Sequence, residues 1–171
     1  MFHFPRCVLL MLALIAGGAL ASAESDDDFA PQAWREQEVG MPAAPVEANL
    51  HPFYVSPVES NRFYLDMASL SLGGDGVVRY VLVVLTPGGA RNVSFEGMRC
   101  ETRERRIYAS GRQDGSWSKV RRVEWLPVRE AGVNRHHAAL FLDYLCPGGI
   151  MAASLGDIRS ALKRTSYPSS P

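Results

Sequence analysis

Six side chains in one short stretch carry most of the chemical potential of this chain: Glu96, Arg99, Arg103, Tyr108, Asp114 and Trp117. If residues 91–110 form paired strands, alternate charges project from the solvent face. A row of arginines there can grip an anionic group through bidentate hydrogen bonds. Arg99, Arg103, Tyr108 and Trp117 are then the ligand-binding set. In an enzyme, Glu96 would act as general acid/base while Arg99 or Arg103 held an anionic substrate, as in a hydrolase or transferase. The same row also reads as cross-strand ion pairs, each worth little, or as a buried arginine tying the strand together. Trp117 follows Asp114-Gly115 and reads first as a turn-packing residue.

Other chemistries find less support. The chain has no phosphate-binding loop, no G-x-S-x-G, no H-E-x-x-H and no paired-cysteine zinc site. His136 and His137 are adjacent, so on a helix they diverge by about 100° and do not readily share one metal. His51 is distant in sequence. One of the adjacent pair is expected in the core and the other in water, and neither a metal nor a cofactor is implied. The chain has three cysteines, Cys7, Cys100 and Cys146.

Arg6 followed by the apolar run "CVLLMLALIAGGAL" and the small-residue pattern Ala21-Ser22-Ala23 reads as a signal peptide over residues 1–23, cut after Ala23. The run is short for a membrane span, and no second long apolar stretch follows it. The expected address is periplasmic. Export leaves Cys100 and Cys146, an even count in an oxidising compartment, which reads as a disulfide. Residues 24–66 carry nine acids and two arginines, whereas residues 79–122 carry ten bases and four acids. The asymmetry reads first as solvated surface charge; otherwise the acidic leader lies near the basic middle or the basic part meets an anionic partner. Glutamates interrupt the basic run and the overall pI is about 6.9, so nucleic acid is not the expected partner.

The elements that must position these residues follow from periodicity. Residues 24–50 hold no sustained pattern and read as a flexible acidic, proline-containing leader, with Trp34 as its anchor to the domain surface. A single domain spans 51–165, followed by a tail over 166–171. Strand patterns cover 61–73 (in two pieces broken at Asp66-Met67), 77–86, 91–100, 105–110 and 117–125. "VVRYVLVVLT" is apolar on both faces and belongs at the sheet centre, covered above and below. In "RNVSFEGMRC", Val93 and Phe95 differ in parity from Met98 and Cys100; a β-bulge at Glu96-Gly97 would turn all four inward. From Asn134, a plausible N-cap, His137, Leu140, Phe141, Tyr144 and Leu145 fit one helix face. Ser154 and Asp157 resemble a capping box for a second helix, with a stripe of Leu155, Ile158, Ala161 and Leu162. The fold class is α+β: a four- or five-stranded antiparallel meander, two C-terminal helices on one face and one disulfide.

The stretches "DGVVRY", "NVSFEGMRC", "DGSW" and "LCPGG" together resemble the cryptic neisserial protein 1-like family of exported bacterial proteins, over roughly residues 30–165. The resemblance implies one periplasmic domain of unknown function with cysteines at "MRC" and "LCP"; it carries no catalytic residues. The expected function is a non-catalytic module that binds an envelope component, whether a protein or an anionic ligand.

Overall fold

A computed structural model describes residues 33–164, apart from 123, 131 and 133. The signal-peptide segment, residues 24–32 of the leader and the tail lie outside the described residues. Seven strands form one antiparallel sheet: β1 (Leu50–Phe53), β2 (Arg62–Leu72), β3 (Val77–Leu85), β4 (Arg91–Arg99), β5 (Glu104–Gly111), β6 (Trp117–Lys119) and β7 (Leu126–Pro127). The first six lie in chain order, and β7 pairs with the other end of β5. The count exceeds the expected four or five. The short additions escape a periodicity reading: β7 has two residues, and β1 is an edge strand carrying Pro52.

β3 is central, buried from Val77 to Val83 because both faces of the sheet are covered. On one face Phe63, Leu65, Tyr80, Leu82 and Met98 meet the C-terminal helices. On the other, Val81, Val83, Phe95, Tyr108 and Ala109 lie beneath residues of the leader. β2 runs unbroken through the Asp66-Met67 position, where its register with β3 shifts. Ser69 Oγ fills the gap in the ladder, donating to the Asp66 carbonyl and accepting from the Val81 amide, both at 2.8 Å.

The expected bulge at Glu96-Gly97 is absent: β4 pairs with β3 without interruption from Arg91 to Arg99. Since both faces are buried, the parity change needs no repair. Val93 and Phe95 serve one core, Met98 and Cys100 the other. The bulge falls on the neighbouring strand, where Tyr108 is the extra residue of β5. Tyr108 passes directly over Gly97; a Cβ there would lie 2.4 Å from the phenol oxygen.

α1 (Arg135–Ala139) continues as a π-helical turn over Leu140–Leu145, so the expected regular helix changes pitch midway. The Cys146 amide accordingly donates to the Phe141 carbonyl, at 2.8 Å. Asn134 occupies the N-cap position without a side-chain cap bond. α2 (Leu155–Arg164) begins at the expected box, with Ser154 Oγ accepting from the Asp157 amide and donating to its carboxylate. Cys100 and Cys146 are disulfide-bonded, with Cα atoms 5.5 Å apart, joining the end of β4 to the end of the π turn.

Candidate functional site

The sheet divides the residues singled out from sequence. β4 alternates, so Glu96 faces the helices whereas Arg99 faces the leader. Arg99 sits over the Trp34 ring, 3.8 Å from its centroid, and pairs with Glu101. Tyr108 and Trp117 share the Arg99 side: the phenol donates to Glu36 at 2.6 Å, and the Trp117 indole donates to the Pro42 carbonyl at 2.8 Å. Arg103 belongs to neither group. It occupies the β4–β5 turn at a left-handed φ of 54°, paired with Glu130 and lying over Phe141. Asp114 closes the next turn by accepting from Ser116. The acidic leader and basic middle of the chain thus do meet, through Glu36, Arg79 and Arg106.

On the helix side a different constellation forms around Glu96. Its carboxylate is 2 % exposed, accepts from Ser94 Oγ at 2.5 Å and from Tyr80 at 3.4 Å, and lies 2.7 Å from His137 Nε2. Burial alone would raise its pKa. His137, Ser94 and Arg105 outweigh burial and hold it at about 2, so Glu96 is an anion at any ordinary pH. An ionised carboxylate can only accept, so Nε2 of His137 is the donor in this contact. Burial pushes the Tyr80 phenol well up, as does the Glu96 charge.

His136, expected in water or core opposite its neighbour, is buried as well, stacked on Phe63 at 4.9 Å with its ring centre 4.0 Å from that of His137. Burial lowers its pKa to about 3, helped by His137 and Arg105 and opposed by Glu96. Two adjoining cavities of about 300 and 340 Å³ open beside this cluster, and both are lined by Arg105, Asn134 and His137. Arg105 has no ion-pair partner among the described residues. Arg91 lines one cavity and Arg129 the other, so with Arg105 three arginines face the single Glu96 carboxylate of the first cavity, between apolar walls such as Leu82, Ile107 and Leu126.

Sequence reasoning missed the Glu96–His137 pair and Arg105. The signal was present. Glu96 shares parity with Met98 and Cys100, and His137 shares its helix face with Leu140 and Tyr144. Placing a bulge at Glu96-Gly97 turned the carboxylate outward and hid the pairing.

A stapled helical pair covering one face of a seven-stranded meander, with a buried carboxylate–imidazole pair beneath it, is the frame that known families must match. The chain belongs to the CNP1-like family, whose model matches residues 29–163. It is similar to Cryptic neisserial protein 1 of Neisseria gonorrhoeae (strain ATCC 700825 / FA 1090), with 23% identity over 189 aligned residues covering 93% of each chain. No solved structure matches it.

Proposed function

We propose that this protein is an exported, periplasmic, non-catalytic binding module, and that its open site is the groove shared by Arg105, Asn134 and His137. The observation that carries the reading is Arg105, a cation without an ion-pair partner among the described residues, at the junction of two cavities. Beside it, His137 is oriented by a carboxylate already saturated with hydrogen-bond donors. Fixed donors in a partly apolar groove suit an anionic envelope component bearing an apolar portion.

A hydrolase or transferase using Glu96 with Arg99 gains little from this geometry. A carboxyl held at about pKa 2 has no proton to donate near neutrality, and Arg99 projects from the other side of the sheet. Arg103 is engaged by Glu130.

The test is photo-cross-linking in intact cells with a reactive residue at Asn134 and, as control, at the exposed Ser71. An adduct specific to position 134 and lost with Arg105→Ala supports the reading. Equal labelling at both positions, or an adduct indifferent to Arg105→Ala, refutes it.

A further inference from the structure

The face away from the helices carries a second built site, and the chain itself occupies it. The Glu36 carboxylate accepts from the Tyr108 hydroxyl at 2.6 Å and from the Trp125 indole at 3.3 Å, is ion-paired with Arg106, and lies 3.7 Å from Arg79. Two residues earlier, the Trp34 ring lies beneath the Arg99 guanidinium and meets Trp125 edge-on, with centroids 5.9 Å apart. The intervening backbone is read too. The Trp34 indole donates to the Asp75 carbonyl at 2.8 Å, the Gln37 amide donates to the Asp75 carboxylate at 2.8 Å, and Arg79 donates to the Gln37 carbonyl at 3.2 Å.

Two of the groups that read this segment have anchors of their own on the sheet and its β2–β3 turn. Arg79 is 2 % exposed and fixed by a two-pronged bond to Asp75. Tyr108 is fixed by its bulge, by Phe95 at 4.9 Å between ring centres, and by the absence of a side chain at Gly97. Such pre-organisation lowers the cost of binding any segment of matching chemistry. The occupying segment, in contrast, adds little apolar burial: Trp34 remains 37 % exposed and Glu36 is polar. Segments with few buried apolar contacts open locally at low free energy.

We infer that Arg79, Arg99, Arg106, Tyr108 and Trp125 form a peptide-binding site for an aromatic residue placed two positions before a carboxylate, occupied in cis by Trp34 and Glu36. A partner segment of that pattern displaces residues 34–37. Tethering gives the built-in segment an effective concentration on the order of millimolar, so the resting site is closed to weak ligands.

The experiment uses the full chain carrying Trp34→Ala and Glu36→Ala, titrated calorimetrically with a synthetic peptide of residues 33–39. Binding is expected, at least about tenfold tighter than to the unmodified protein, where the tethered segment competes. The same peptide carrying Glu36→Gln is expected to bind at least about tenfold more weakly, because the arginine cage loses its anion. A folded double variant that ignores the peptide, or equal binding of the Gln peptide, overturns the inference. If the double variant does not fold, amide exchange in the unmodified protein decides. Millimolar peptide should accelerate exchange at Gln37 while leaving Val81 and Val83 protected; an unchanged Gln37 rate overturns it.

Discussion

Acidification should destabilise this protein through His136 before its carboxylates matter. The ring is sandwiched between Phe63 and His137, and burial holds its pKa at about 3, far below the ordinary imidazole value of 6.5. The charged groups that act on it are His137, Arg105 and Glu96. Because the folded pKa lies below the unfolded one, only the unfolded chain takes up this proton as the pH falls from 6.5 towards 3. Stability is therefore intact above about pH 6.5 and is lost at about 1.4 kcal/mol per pH unit below it. From about pH 6.5 to 4.5 the loss reaches roughly 2.5 kcal/mol, a large share of a typical folding free energy. Urea unfolding of the native protein and of His136→Phe, which keeps the aromatic stack, isolates the effect. The variant should gain roughly 2.5 kcal/mol relative to the native protein across that interval, whatever its stability at neutral pH. A difference between the two that stays constant with pH would refute the reasoning.

Glu96 has the same sense at lower pH: its folded pKa of about 2 lies below 4.5, so its contribution is complete above 4.5 and vanishes towards 2. Glu96→Gln should cost about 2–3 kcal/mol at neutral pH, by removing a charged acceptor from Ser94, Tyr80 and His137, and should flatten the denaturation profile in that acid window. Gly97→Ala should destabilise by more than about 1 kcal/mol because the methyl meets the Tyr108 phenol, and Tyr108→Leu in the same chain should restore part of the loss in a thermal melt. Breaking the bridge with Cys100→Ser and Cys146→Ser together should lower stability by up to about 4 kcal/mol, from the 46-residue separation that the bridge closes. Chemical denaturation against the oxidised protein measures that loss.

What could be read from the chain and what could not have separate physical origins. The run at β3 was unambiguous because apolar residues on both parities leave only a central, doubly covered strand. The disulfide followed from two cysteines and an expected oxidising address. Ser154 and Asp157 marked α2, since a capping box is a local bond between near neighbours. Trp34 pointed to the leader's attachment, whereas the charge asymmetry reads equally as solvated surface, because its partners on the sheet lie some forty or more residues away. Failures arose where the outcome depended on distant packing. The Tyr108 bulge is set by a ring that needs the space above Gly97, and the change to a π turn at Leu140 carries no local signature. The inference of a bulge at Glu96-Gly97 came from assuming a sheet with one dry face; a covered second face removes its motive. That one assumption decided whether Glu96 looked like a surface acid or a core anion.

The most direct test of the proposed groove is imidazole nitrogen NMR of His137 in the intact protein, with inorganic phosphate as the first probe. Phosphate binding beside Arg105 should shift the His137 nitrogens saturably, and Arg105→Ala should abolish the shift while leaving the Glu96 hydrogen bond to Nε2 in place. His137 resonances that move identically in the native protein and in Arg105→Ala would contradict the assignment of this groove as the anion-binding site.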